Sequence, residues 1–121
     1  MPKAKKTEIE YEIDKYTIGL FSRPATPDPS DIAIITLWEG NQIRGYINFF
    51  PNNAALPNPS YNKEKKVIRL YFHIDHFDVI NDMLRNEKPL FIEYNSPPPF
   101  ATLRSGKEPI GEEEKLIYPR E

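Results

Sequence analysis

The feature that most constrains this chain is a pair of apolar runs flanking a tight turn at Gly40 and Asn41. Glycine and asparagine tolerate positive φ, so two such residues between β-branched and aromatic segments are a strong local hairpin signal. Strands over 32–38 and 42–50 are expected to pair antiparallel, with partner numbers summing to 81. That register sets Trp38 beside Ile43, Ile34 beside Ile47 and Ile32 beside Phe49 on one face. The other face receives Leu37 with Arg44, Ile35 with Tyr46 and Ala33 with Asn48. Neither face is cleanly polar, whereas a sheet wetted on one side alternates apolar and polar residues. The hairpin is therefore expected to be covered on both sides, or to use one side for binding.

The same periodicity places the other elements. Ile9, Tyr11 and Ile13 alternate with Glu8, Glu10 and Glu12, the pattern of a half-buried strand whose carboxylates form a solvated row. Tyr16, Ile18 and Leu20 continue on even positions, so a bulge or bend is expected at Asp14 and Lys15. Prolines 24, 27 and 29 make the following segment an extended loop. From Pro51 through the basic residues after Ser60 the chain reads as a loop of about 15 residues, long enough to be either mobile or functional. Val67–Ile74 is a strand with Ile68, Leu70, Phe72 and Ile74 on one side and Arg69, Tyr71 and His73 on the other. Asp75 is the expected N-cap of a helix over 76–86, with Asp78 in its first turn and an apolar stripe at Phe77, Ile80 and Leu84 widened by Val79 and Met83; Pro89 stops it. Strands over 90–94 and 101–104 complete the chain.

These elements predict an α+β fold: a single curved antiparallel β-sheet of five to six strands, in the order ββββαβ(β), with one helix packed on one face. A helix of three turns is about 16 Å long and covers only part of such a sheet. The remaining apolar side calls for a sheet that curls on itself or for a second copy of the chain, and a homodimer is the expectation. Residues 1–7 read as a flexible basic N-terminus, 8–105 as a single α+β domain, and 106–121 as a flexible acidic tail.

Composition narrows the function. The chain has 121 residues, enough for one core and too few for two ordinary domains. No apolar run approaches the roughly 20 residues that cross a bilayer. The chain lacks cysteine, which excludes a disulfide framework or a thiol nucleophile and makes the cytoplasm the default expectation. A net charge of −2 gives no overall attraction to nucleic acid, so any such site must be local. One local island exists. Between Gly40 and Ile74, Arg44, Lys63, Lys65, Lys66 and Arg69 face a single acid, Glu64.

Candidate chemistry is sparse. His73, Asp75 and His76 form the densest set of metal-ligand types, but they straddle a strand-to-helix corner and need not converge, and no third histidine completes a set. Neither a metal nor a cofactor is expected. An enzyme around His73 and His76 is a further alternative, weakened by the lack of an identifiable orienting carboxylate or nucleophile. Gly40 and Gly45 have the spacing of a phosphate-binding loop, yet Tyr46 and Ile47 stand where lysine and a hydroxyl residue are required.

The remaining constellation is Arg44, Tyr46, Asn48 and Phe50 on one strand with Arg69, Tyr71 and His73 on another. Each set lies on one face by alternation and mixes rings with cationic or hydrogen-bonding groups. Bases stack on rings while arginine meets phosphate, and Lys63, Lys65 and Lys66 would extend a phosphate track. The order of four strands followed by a helix resembles the layout of single-stranded-DNA-binding folds such as the Whirly proteins, a resemblance of element order with no motif carried over residue by residue. Single-stranded nucleic acid is thus the most concrete partner of a non-enzymatic binding module. The alternative is a structural or protein-interaction subunit that homodimerises through the sheet.

Overall fold

The computed structural model describes residues 6–23, 30–107 and 110. The segment 24–29 and most of both expected tails lie outside the described residues. In chain order the elements are β1 (Thr7–Ile13), β2 (Lys15–Leu20), β3 (Ala33–Glu39), β4 (Gln42–Phe50), β5 (Ser60–Asn62), β6 (Val67–His73), a 3₁₀ turn (Ile74–His76), α1 (Phe77–Asn86), β7 (Leu90–Ser96) and β8 (Phe100–Ser105). The class is α+β with one helix among the described residues.

The strands do not form the single sheet that the sequence pattern predicts. They divide into a three-stranded antiparallel sheet, β1-β7-β8, and a five-stranded mixed sheet, β2-β3-β4-β6-β5. The division occurs at the phase change. Asp14 ends β1 in the first sheet and the chain enters the second as β2. The Asp14 amide donates to the Trp38 carbonyl at 2.9 Å, and its carboxylate accepts from the Gly40 amide at 3.0 and 3.1 Å. One acidic residue thereby fastens the strand crossover to the β3–β4 turn, where Gly40 takes a φ of 61°.

The second departure is the parallel pairing of β4 with β6. The 15-residue loop expected after Phe50 contains β5, three residues long, which runs back along the sheet edge and turns through Lys63–Lys66 into β6. This added reversal brings β6 alongside β4 in the same direction. Asn62 closes the turn: its side-chain oxygen accepts from the Lys65 amide at 3.0 Å and its carbonyl from the Lys66 amide at 2.7 Å.

The third correction concerns the hairpin register. Glu39 pairs with Gln42 and Trp38 with Ile43 as expected, but the register shifts between Leu37 and Trp38. Beyond it Leu37 faces Gly45, Ile35 faces Ile47 and Ala33 faces Phe49. A one-residue slip exchanges the faces of one strand relative to its partner. Here it collects Ala33, Ile35, Leu37, Ile47 and Phe49, all fully buried, on one side. The mixed faces predicted from an unbulged hairpin are thereby sorted.

That side of the five-stranded sheet meets the helix and the smaller sheet together. Ile68 and Leu70 of β6, Ile80 and Leu84 of α1, Ile13 of β1, and Leu90 and Ile92 of β7 complete one core. Phe77 packs edge-on against Phe49, ring centres 5.0 Å apart. Gly45 permits close approach of the two sheets: a Cβ there would lie 2.7 Å from Ile92 Cδ1 and 3.2 Å from the Ile68 carbonyl. The apolar side that one short helix leaves bare is covered by the chain's own three-stranded sheet. On the outer face of that sheet Arg104 joins Glu93, at 2.9 Å, and Glu10. Glu10 is therefore in an ion pair rather than in a purely solvated row, and donation first to Glu93 and then to Glu10 raises the Arg104 pKa.

At the helix start the expected Asp75 cap is absent. Asp75 lies inside the 3₁₀ turn, where its amide donates to Asn52 Oδ1 at 3.2 Å and its carboxylate meets His76 Nδ1 at 3.1 Å. The extra turn moves the start of α1 to Phe77, with His76 as N-cap.

Candidate functional site

Alternation along β3, β4 and β6 sends a second set of side chains to the opposite face of the five-stranded sheet. Paired residues share a face, so Ile34 joins Asn48, Thr36 joins Tyr46, Tyr46 joins Arg69, Asn48 joins Tyr71 and Phe50 joins His73. Trp38 ends the β3 row and Lys15 of β2 pairs with it. None of Ile34, Trp38, Tyr46, Phe50 and Tyr71 packs against the core. Among the described residues no helix or strand is layered over this face as α1 and the small sheet are over the other.

A hydrogen-bonded chain organises the centre of the face. Asn48, 6% exposed, donates through Nδ2 to Asp31 Oδ2 at 2.7 Å and accepts from Arg69 Nη1 at 2.6 Å. Asp31 also meets Arg23 at 3.7 Å. Arg69 lies over the Tyr46 ring, its guanidinium carbon 4.6 Å from the ring centre. Both polar ends of the buried amide are satisfied, and the arginine is held flat on an aromatic surface. Phe50 and Tyr71 meet edge to face at 6.0 Å.

The structure thus brings together Tyr46, Asn48, Phe50, Arg69, Tyr71 and His73. His73 Nε2 lies 2.8 Å from the Ala54 carbonyl, so the loop after β4 holds its imidazole. His76 makes different contacts, with Asp75 and the Phe72 ring, and the two histidines do not share a partner.

Arg44 departs from the row. The register shift lies beside it, and its guanidinium sits 4.8 Å from the Tyr11 ring centre of β1 while donating to Glu39 at 2.8 Å. Under it, the Tyr11 hydroxyl is 2.8 Å from that of Tyr61. Burial first, and then the contact with Tyr61, push the Tyr11 pKa up to about 12.

Lys63, Lys65 and Lys66 are exposed on the β5–β6 turn, not spread along an extended loop. Lys65 and Lys66 line an open groove of about 660 Å³ whose other walls include Trp38, Ile43, Tyr46 and Val67, and Arg44, though turned toward Tyr11 and Glu39, also lines it. Glu64 is its acidic member. An unshifted register places Trp38 on the face with Ile34 and Ile47, opposite Tyr46, so the sequence pattern alone does not point to it. The actual pairing sets Trp38 and Tyr46 on the same face.

Comparison of the chain with protein-family models, curated proteins and solved structures found no match. Among the described residues, no helix is long and apolar enough to cross a membrane.

Proposed function

We propose that this protein is a non-enzymatic binding module that takes single-stranded nucleic acid on the uncovered face of its five-stranded sheet. The observation that carries this reading is the placement of Trp38, Tyr46, Arg69 and Tyr71 on one face, with Lys65 and Lys66 at its margin. Rings offer stacking worth about 1–3 kcal/mol per base without demanding a particular base. Arg69, fixed by Asn48 and Tyr46, presents a planar cation with little further loss of freedom on binding. A net charge of −2 leaves attraction of phosphate to this local set, so binding should weaken steeply with salt. The test is oligonucleotide binding by fluorescence anisotropy across a salt series. Binding that vanishes in the Tyr46→Ala/Arg69→Ala double variant while the fold is kept supports the reading; no binding at any salt rejects it.

A second reading, self-association, is favoured by the β2 edge. β2 borders the sheet, contains no proline, and exposes Ile18 at 42% and Leu20 at 75%. Such edges pair readily with another strand. Sedimentation distinguishes a dimer from a monomer, and Leu20→Lys should dissociate a dimer formed there. Tyr46→Glu should instead dissociate one formed through the open face.

A further inference from the structure

We infer that the nucleic acid crosses the strands at the turn end of the open face, along Lys15, Trp38, Tyr46 and the Lys65–Lys66 turn, with Trp38 as a principal stacking ring. This inference rests on the reading above and gives it a direction.

Trp38 lines two neighbouring hollows. On one side is the groove of about 660 Å³ with Tyr46, Lys65 and Lys66. On the other is a hollow of about 410 Å³ formed with Lys15, Thr17, Gly40 and Asn41. The indole is therefore a ridge with an exposed lysine beyond each flank. Lys15 donates to the Gly40 carbonyl at 3.3 Å, a long contact that a phosphate oxygen can replace. The Trp38 Nε1–H is buried and has no hydrogen-bond partner among the described residues, so it is the half-buried ring surface, not the N–H, that is offered to a base. The charges lining the two hollows are Lys15, Arg44, Lys65 and Lys66 against Glu64, with Arg44 paired to Glu39, the Asp14 carboxylate engaged by the Gly40 amide, and Arg69 over the Tyr46 ring.

The strand order sets the length. From β2 through β3 and β4 to β6 there are three inter-strand steps, a span of about 14 Å at ~4.8 Å each. At ~3.4 Å per stacked nucleotide this accommodates about four nucleotides. A strand running along β4 instead would follow Tyr46, Asn48 and Phe50 toward His73, whose imidazole is already engaged by the Ala54 carbonyl.

Trp38 is the only tryptophan in the chain, so its emission reports this ridge alone. The experiment titrates labelled oligothymidylates of increasing length at low salt, reading oligonucleotide anisotropy and tryptophan emission together. The expected result is parallel saturation of both signals and an affinity that levels off beyond about four nucleotides. Trp38→Leu should weaken binding about tenfold, with Trp38→Phe restoring most of it. Lys15→Gln should lower the slope of log affinity against log salt by about 0.7. If anisotropy reports binding that needs Tyr46 and Arg69, while tryptophan emission stays unchanged and Lys15→Gln and Trp38→Leu bind normally, the crosswise track is wrong and the binding module stands. If anisotropy shows no binding, both fall.

Discussion

The two faces of the five-stranded sheet are built from alternate residues of the same strands, yet they follow opposite rules. The inner face is aliphatic at its centre, with Ile35, Leu37, Ile47 and Ile68 wholly removed from solvent and Phe49, Phe72, Tyr16 and Tyr61 adding rings around them. The outer face carries rings, an amide, a guanidinium and an imidazole, most of them half-buried. Where helix and second sheet close over a surface, each polar group would cost more than it returns, and shape decides what fits. Where no helix or second sheet is layered over it, polar groups are tolerated and can be arranged. Asn48 sits on the outer face but is as buried as a core residue, and it is accommodated by bonding at both ends of its amide.

This contrast can be broken by substitution, and the inner face should respond most. Phe49→Ala removes a fully buried ring that touches Phe72 and Phe77, and should cost about 3–5 kcal/mol by denaturant unfolding. Gly45→Ala drives a methyl group toward Ile92 and the Ile68 carbonyl, and should cost about 1–3 kcal/mol on the same scale. An unaltered midpoint would mean that the two sheets do not approach as closely as described.

The outer face should separate stability from binding. Asn48→Leu keeps the bulk but takes a partner from both Asp31 and Arg69, and should cost about 1–2 kcal/mol while loosening Arg69 over Tyr46. The Tyr46→Ala/Arg69→Ala pair should change stability by about 1 kcal/mol and abolish oligonucleotide binding. A collapse of the fold in that variant would show that the outer face is core by another name.

The smallest effect should appear at alkaline pH, in the tyrosine beneath Arg44. Folding raises the Tyr11 pKa from 10.0 to about 12, so the folded state holds a proton that the unfolded chain releases first. The stabilisation is complete below pH 10 and declines as pH rises toward about 12. Melting temperatures across that window should fall less steeply in Tyr11→Phe.

Much of the fold is legible from residue order. The hairpin turn at Gly40 and Asn41, the helix stripe at Phe77, Ile80 and Leu84, and the phase change at Asp14 each follow from a local period or a turn residue, and each is present. The row of Tyr46, Asn48 and Phe50 and the row of Arg69, Tyr71 and His73 are each legible for the same reason, since alternation within one strand is a local property; that the two rows share a face follows from the β4–β6 pairing. Trp38 and Arg44 leave the faces of an unshifted hairpin through one event, the register shift between Leu37 and Trp38, which no turn residue announces. β5 carries no signal in the residue order because Ser60, Tyr61 and Asn62 are too few to display a period.

The sequence alone determined where the longer strands and the helix run and which side chains alternate within each strand, because these depend on neighbours a few positions apart. Tertiary structure decided that the strands divide into two sheets, that β6 lies parallel to β4, and which face of the larger sheet stays open. Those outcomes depend on how apolar surfaces distant in the chain bury one another. Ile92 closing on Gly45 is such a contact, and nothing near either residue specifies it.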